Sequence, residues 1–326
     1  MSLLISPGMF NRETRSWDAA ALQLAAGLQE CQLPDLCDAC APESSLPLLP
    51  SCILATHLPP HTRVLPPISD GAAANLGVGC FDNTCACLTV GTSIALRTVV
   101  RSSVPPAISG SGGLWSYHLY GDLWLVGGAL SDGGNLVAWL LKTMKFDAET
   151  WESEVAAMSP GQHGLTVLPF ASGERSIGYR GDATFHVSGA RTSSSPTQVM
   201  RATMEAVALR ARALWERMLP FMQHNAFVVA SGGALMSSKC WARIFSDAMG
   251  ASITVCGENK EASIMGIVYQ CVAHLRNVAS SLSGTQPLPP HPFSHPPIFS
   301  CDFPPFLTFC QKAHRTLLLT PATPRG

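Results

Sequence analysis

The amino-acid sequence predicts an α/β domain over residues 61–276. Short apolar, β-branched runs alternate there with glycine turns and with segments whose apolar residues recur at helical spacing. The composition suits a large core, since 47% of the 326 residues are hydrophobic and 13% are charged. Residues 1–60 look too irregular to bury a core alone. Residues 277–326 are dense in proline, which removes the backbone donors that a helix or central strand needs.

The expected elements follow in chain order. A weak helical pattern runs from Trp17 to Leu28, and two hairpin-like strand pairs come after it, the second joined at Gly121-Asp122. The longest helix is expected where methionines recur at helical spacing after Pro196. We expect strands at 84–92, 94–101, 114–120, 123–130, 226–230 and 253–255, and helices at 133–144, 196–222, 238–249 and 261–275.

Charge and hydropathy exclude several classes of function. A formal net charge of -1 gives no electrostatic reason to expect a nucleic acid or an anionic membrane as partner. No run approaches the roughly 18 apolar residues of a membrane span. The first ten residues lack the basic region and the cleavage site of a secretory signal. We therefore expect a cytoplasmic protein.

The 12 cysteines are more than an average chain carries. Cys37 and Cys40 form a CxxC pair, with Cys31 and Cys52 nearby, and a zinc site is one interpretation of this group. A structural zinc site needs a second closely spaced pair, which the sequence lacks. We favour unligated loop cysteines here, small buried hydrophobes elsewhere, and no metal held by the protein itself.

Three glycine-rich turns each follow a predicted strand. They contain Gly91 and Thr92, then Gly133-Gly134, then Gly232-Gly233. Glycine lets a ligand approach the backbone closely, and free N–H groups at a following helix suit phosphate. Neither a GxxxxGK[ST] loop nor a strand-linked GxGxxG motif is present. From spacing alone, a nucleotide site and three ordinary turns are both consistent with this pattern.

Asp70 follows the apolar end of a predicted strand and precedes a run of small residues, Gly71 to Ala74. An aspartate there can cap a helix, because its oxygen accepts an orphan N–H. A carboxylate projecting into a cleft can instead act as a general base. Spacing alone favours the cap.

The order of these motifs resembles that of the FGGY carbohydrate kinases, especially the gluconokinase and xylulokinase branches. The resemblance runs from about residue 2 to 276. The segments that carry it are SPGMFNRETRSWDAAALQLAAGL, SDGAAANLGVGC, LTVGTSIALR, VGGALSDGGNLVAWL, LTVLPFASGERSIGYRGDATFHVSGA and VVASGGALMSSKCWARIFSDAMGASITVCGENKEASIMGIV.

This resemblance implies an actin-like ATPase (ribonuclease H-like) fold, a mixed sheet flanked by helices. It implies phosphorylation of a sugar or sugar-acid hydroxyl by ATP with Mg²⁺. Carried over by position, the site would use Asp70 as the base, Gly91 and Thr92 at the transferring phosphate, Gly134 and Gly233 along the nucleotide, and Ser237 near the adenine.

The sequence also departs from the family pattern. Nothing resembles the DxGTT turn of the family's first lobe, so we expect a C-terminal half in which residues 1–60 are the end of that lobe and a connecting segment. Ile177 stands where relatives usually have proline after SGER. A half without the other wall of the cleft would hold the reactants too loosely for turnover alone, so the alternative function is a non-catalytic half that binds a nucleotide or a partner. For residues 277–326 we expect a disordered tail or translated non-coding sequence, and a polyproline ligand is the other interpretation.

Overall fold

A computed structural model describes residues 8–108, 112–256 and 262–283. Its centre is a six-stranded mixed sheet whose strands lie in the order β12-β11-β5-β6-β8-β7. β12, β11 and β5 run parallel, and the remaining neighbours are antiparallel. These strands are β5 (Cys85–Val90), β6 (Ile94–Arg101), β7 (Trp115–Tyr120), β8 (Leu123–Leu130), β11 (Phe227–Ser231) and β12 (Ile253–Val255).

Helices cover both faces of this sheet. On one face, Met200, Met204 and Leu214 of the long helix pack with Leu88 and Val126 of the strands. On the other face, Ala72 and Leu76 pack against Val99 and Leu125. In the described ranges the helices are α1 (Ala19–Leu24), α2 (Asp70–Gly77), α3 (Gly134–Thr143), α4 (Trp151–Ala157), α5 (Pro196–Met218), α6 (Gly233–Ser237), α7 (Lys239–Met249) and α8 (Ala262–Ser283).

Among the described residues, three short antiparallel strand pairs lie outside the central sheet. They pair β1 (Phe10–Asn11) with β2 (Ser16–Trp17), β3 (Leu46–Pro47) with β4 (Arg63–Val64), and β9 (Thr166–Leu168) with β10 (His186–Ser188). The first hairpin contacts the sheet edge, because Arg12 Nη1 donates to Ser116 Oγ at 2.7 Å. The Asp38 carboxylate also accepts from the amide of Gly121. Residues 8–60 therefore pack against the domain, although they contribute no strand to its central sheet.

The six expected strands are confirmed as the central sheet, and helices 133–144 and 238–249 are confirmed as α3 and α7. Helix 196–222 is α only to Met218, since Pro220 lies in a 3₁₀ turn at Leu219–Phe221. The last helix continues to Ser283, past the expected boundary at residue 276. The pattern from Trp17 to Leu28 forms helix only over Ala19–Leu24.

Several short elements of the fold were not expected, among them the strand pairs β1/β2 and β3/β4. α4 (Trp151–Ala157) and the β9/β10 hairpin are too short to show a period in the sequence. The predictions for residues 284–326 fall outside the described residues. No helix among the described residues is long and apolar enough to span a membrane.

Candidate active site

The three glycine turns meet at one end of the strands of the central sheet. β5 and β11 are parallel neighbours, so the turns that follow them leave the sheet side by side. The amide of Gly134 donates to the carbonyl of Gly91 at 2.7 Å, and a Cβ atom at Gly134 would lie 3.2 Å from Cβ of Ala234. Gly232 has φ +97° and leaves no room for a Cβ beside the carbonyl of Val90. The turns thus form one cradle of backbone groups, which we call the glycine cradle (Gly91–Thr92, Gly133–Gly134 and Gly232–Gly233).

The glycines of the cradle serve two different purposes. A Cβ at Gly91 or Gly233 would meet nothing within 4 Å, so both backbones face open space. A Cβ at Gly134 would lie only 2.7 Å from the carbonyl oxygen of Gly91. Gly134 is therefore required for packing between the turns, whereas Gly91 and Gly233 leave open space in which a ligand can approach the backbone.

Thr92 and Ser237 lie at the surface beside the cradle. Thr92 occupies the turn between β5 and β6, and its carbonyl accepts from the amide of Asn135 at 3.3 Å. The hydroxyl of Ser237 donates to the carbonyl of Gly233 at 2.8 Å, one turn back in α6. Its proton is used within the helix, so Ser237 can offer a ligand only its acceptor lone pairs.

Asp70 is the first residue of α2 and is exposed. The interpretation of Asp70 as the helix cap is wrong, because Ser69 is the N-cap and its hydroxyl accepts from the amide of Ala72 at 3.2 Å. One carboxylate oxygen of Asp70 accepts from the amide of Gly71 at 2.7 Å. The carboxylate is therefore held at the helix start but remains open to solvent, as a general base must be.

Arg97 lies against the start of the helix that carries this carboxylate, and the sequence did not indicate it as a site residue. In the register of β6 it stands opposite Cys87 and Gly127. A Cβ at Gly71 would lie 3.1 Å from Nε of Arg97, so α2 begins against the guanidinium. Burial lowers the pKa of Arg97, and Cys87 and then Asp70 oppose that shift. The only trace in the sequence is an arginine inside an otherwise apolar strand.

The SGER segment lies along the free end of β8. Ser176 pairs with Ala129 in both directions, its amide donating at 2.9 Å and its hydroxyl accepting at 2.7 Å. Glu174 forms an ion pair with Arg210 of α5, whose guanidinium lies 5.1 Å from the ring centre of Phe170. Ile177 has φ +85°, a value that the ring of the proline expected at this position cannot adopt. The turn after SGER is therefore built differently here from a proline turn.

The match to known proteins decides which family this architecture represents. The sequence model described as FGGY family of carbohydrate kinases, C-terminal domain, matches residues 86–275, more than half of the chain. The chain belongs to the FGGY family of carbohydrate kinases.

Several FGGY kinases are similar to this chain over most of its length. The gluconokinase of Bacillus subtilis is 25% identical over 283 residues, which cover 81% of this chain and 53% of that protein. The gluconate kinase of Lactobacillus acidophilus superposes with a TM-score of 0.73 at 22% identity, covering 95% of this chain and 61% of that one. The xylulose kinase of Lactobacillus acidophilus gives a TM-score of 0.75 at 21% identity, with the same two coverages. The chain spans about half the length of the gluconokinase, and the expected actin-like fold is confirmed.

Metal ligands are not concentrated in this FGGY domain. Within the described ranges, no group of three or more His, Cys, Asp or Glu side chains is arranged to hold a metal ion. Cys40 of the CxxC pair is buried, and burial, with smaller contributions from Asp38 and Cys271, raises the pKa of its thiol to about 12.

Of the six site residues that the sequence of this chain predicts, five lie close together in the structure. Gly91, Thr92, Gly134 and Gly233 form the glycine cradle, and Ser237 follows one turn of helix later. Asp70 lies on α2 beside Arg97, and among the described residues no hydrogen bond links it to the cradle. The strand β6 connects the two regions, since it begins two residues after Thr92 and carries Arg97.

Proposed function

We propose that this protein takes part in the ATP-dependent phosphorylation of a hydroxyl group on a sugar or sugar acid. The observation that carries the proposal is the glycine cradle, in which turns far apart in sequence meet and leave the backbones of Gly91 and Gly233 open. Membership of the FGGY family supports the same reaction class. The exposed carboxylate of Asp70 provides the group that such a reaction needs for proton removal.

In the proposed reaction Asp70 accepts the proton of the attacking hydroxyl. As the hydroxyl oxygen bonds to the γ-phosphorus, the bond from that phosphorus to ADP breaks and the released charge stays on ADP. The amide of Gly71 holds the Asp70 carboxylate in one orientation through its 2.7 Å hydrogen bond. Fixed placement of this kind supplies much of the rate enhancement in phosphoryl transfer.

The cradle is proposed to hold the nucleotide. Gly91 and Thr92 would contact the transferring phosphoryl group, Gly134 would keep the turns in register, and Gly233 and Ser237 would lie along the nucleoside. ATP supplies the phosphoryl group, and Mg²⁺ screens the phosphate charges. The described residues contain no three-ligand metal group, so we expect Mg²⁺ to be held mainly by the phosphates and water, as it commonly is.

The test is ADP release by the full 326-residue chain, measured with Mg²⁺ and ATP in the presence of gluconate, xylulose or glycerol. We expect one acceptor to stimulate release, and Asp70→Asn to reduce that rate at least about a hundredfold. Glu149→Gln, which removes an exposed carboxylate on a distant loop, is the matched control and should leave the rate unchanged. Binding of ATP without release by any acceptor would contradict catalysis and would favour the non-catalytic alternative.

A further inference from the structure

Helix α8 carries an apolar stripe that faces solvent. Its side chains recur at the spacing of one helix face, and each is between 39% and 64% exposed. They are Ile264, Ile267, Val268, Val272 and Leu275, and we call them the α8 stripe. Single exposed apolar residues are common on protein surfaces, whereas a row of them along one helix marks a surface that binds another one.

The opposite face of α8 is already used within the domain. Gly266, Gln270 and His274 are buried and follow one another at four-residue spacing. Gly266 lies against the backbone of Ala73 in α2, and the side-chain amide of Gln270 donates to the carbonyl of Pro66 at 3.4 Å. These contacts fix the rotation of α8 about its own axis, so the α8 stripe stays directed away from the sheet.

The strand pair β3/β4 is joined to the C-terminal end of α8 and adds to this apolar surface. The side-chain amide of Asn277 donates to the carbonyl of Cys40, six residues before β3. Leu46 of β3 and Val64 of β4 are opposite each other and are 64% and 47% exposed. The α8 stripe and these two side chains together expose about 700 Å², close to the roughly 800 Å² that each partner buries in a standard protein–protein interface.

The α8 stripe carries no charge. Arg276 is the single Asp, Glu, Lys or Arg residue within Ala262–Ser283, and it lies about 100° further round the helix than Leu275. An uncharged surface can meet an identical surface without burying like charges. The formal net charge of -1 adds almost no long-range repulsion between copies of the chain. Area and charge therefore favour a second copy of this chain as the occupant.

We propose that two copies of this chain associate through their α8 stripes, with the two helices antiparallel across a twofold axis. Both copies then use the same surface. The spacing of the stripe is symmetric about its middle, so Ile267 of one copy faces Val272 of the other, and Ile264 faces Leu275. The antiparallel arrangement also keeps the two Arg276 side chains at opposite ends of the helix pair.

Sedimentation velocity of the full chain, at concentrations from about 1 to 100 µM, measures this association. We expect a monomer–dimer equilibrium. Ile267→Lys should raise the dissociation constant of the dimer at least about tenfold, because it places a cation in the middle of an apolar contact. Leu141→Lys is the matched control and should leave the constant unchanged. Leu141 is 39% exposed and lies on α3, which packs on the opposite face of the sheet.

A mixture of two variants tests the orientation of the helices. Ile267→Lys and Val272→Glu should each weaken association between identical copies at least about tenfold. An equimolar mixture should recover the dimer, because the introduced cation of one copy faces the introduced carboxylate of the other. Leu275→Lys, at the most exposed position of the stripe, tests the same contact if Ile267→Lys does not fold.

A monomer at every concentration would overturn the proposal, also where residues 284–326 cover the stripe instead. So would assemblies of mixed size that Ile267→Lys leaves unchanged, or equal weakening by Leu141→Lys. Loss of both variant dimers without recovery in the mixture would overturn the antiparallel arrangement. Sedimentation needs neither ATP nor an acceptor, so its result is independent of the proposed kinase reaction.

Discussion

Gly77 and the carbonyl group of Ala262 lie so close together that no Cβ atom fits between them. Gly77 ends α2 and Ala262 begins α8, and a Cβ at Gly266 would likewise overlap the backbone of Ala73. The two contacts run in opposite directions along the helices, so α2 and α8 are antiparallel and touch through their backbones. Because Asp70 begins α2, this contact also determines where the candidate base lies on the sheet.

We expect Gly77→Ala and Gly266→Ala to destabilise the protein, each by about 2 kcal/mol, because the added methyl group forces the helices apart. Helix propensity alone predicts that each substitution stabilises the protein, by about 1 kcal/mol. The free energy of unfolding from urea titrations distinguishes the two. Gly181→Ala is the control, since Gly181 is exposed and a Cβ there would meet nothing within 4 Å. Higher stability of Gly77→Ala would refute the contact.

For two glycines of the glycine cradle, we expect substitution by alanine to weaken ligand binding without lowering stability. Gly91→Ala and Gly233→Ala add a methyl group in open space and should change the unfolding free energy by less than about 0.5 kcal/mol. They should weaken ATP binding about tenfold, because the ligand loses its close approach to the backbone. Calorimetric titration of ATP provides the measurement.

Gly134→Ala is the contrasting variant, since its methyl group would meet the carbonyl of Gly91 at 2.7 Å. We expect it to lower stability by about 1 to 3 kcal/mol as well as ATP affinity. If Gly91→Ala and Gly233→Ala bound ATP like the unmodified protein, the nucleotide would have to lie elsewhere.

The central sheet was predictable because its strands are buried on both faces. Runs such as Cys85–Val90 and Leu123–Leu130 are almost wholly apolar, and the glycine turns mark their ends. No local sequence pattern shows which strands become neighbours, since β5 pairs with β11 across more than a hundred residues. That pairing brings the turns together and makes the cradle a site.

The roles of single site residues were less predictable. Spacing favoured Asp70 as the helix cap, yet Ser69 takes that role and leaves the Asp70 carboxylate exposed. The sequence marks Arg97 only as a charge in an apolar strand. Its place in the site depends on the space that Gly71 and Gly127 leave around it. Such complementarity between distant glycines and one side chain exists only in three dimensions.

Glu205 of α5 is a buried carboxylate held by an arginine and a histidine. It accepts from Nε of Arg201 at 2.5 Å and contacts Nε2 of His163 at 3.0 Å. Burial raises its pKa, but the hydrogen bonds from His163 and Arg201 outweigh burial and hold the pKa below the ordinary value of 4.5. Because the amide of Gly161 also donates to Glu205 at 3.2 Å, the group ties the loop before β9 to the long helix.

We expect Glu205→Gln to cost about 3 kcal/mol of stability at pH 7, since it leaves the buried Arg201 without its anion. The pKa of Glu205 is lower in the folded protein than in the unfolded chain, so its contribution to stability is complete above pH 4.5. That contribution is lost as the pH falls through the pKa of the folded state. The stability gap between the unmodified protein and the variant should therefore narrow below pH 4.5.

Urea titrations across pH 3 to 7, in steps of about 1 pH unit, measure this gap. Glu216→Gln is the matched control, because Glu216 is paired with Arg212 at the same i,i+4 spacing in α5 but is 41% exposed. Its cost should stay below about 0.5 kcal/mol. A gap for Glu205→Gln that does not change with pH would contradict the role of the ionised carboxylate.

Cys40 should be chemically inert in the folded protein. Burial first, and then Asp38 and Cys271, raise the pKa of its thiol to about 12, so roughly one molecule in ten thousand carries the thiolate at pH 8. Alkylation by iodoacetamide, followed by peptide mass spectrometry, should modify exposed Cys31 at least about a hundredfold faster. Cys31→Ser identifies the fast peptide. Equal rates in the native protein would contradict the burial of Cys40.

The same experiment tests what keeps Cys40 buried. The side-chain amide of Asn277 in α8 donates to the carbonyl of Cys40 at 3.0 Å and joins the end of that helix to the loop of the CxxC pair. Asn277→Ala removes this link, and we expect Cys40 alkylation to accelerate about tenfold while Cys31 is unaffected. If Cys40 and the buried Cys87 accelerated together, the exposure would come from unfolding of the whole domain. Acceleration confined to Cys40 would show that its loop opens alone.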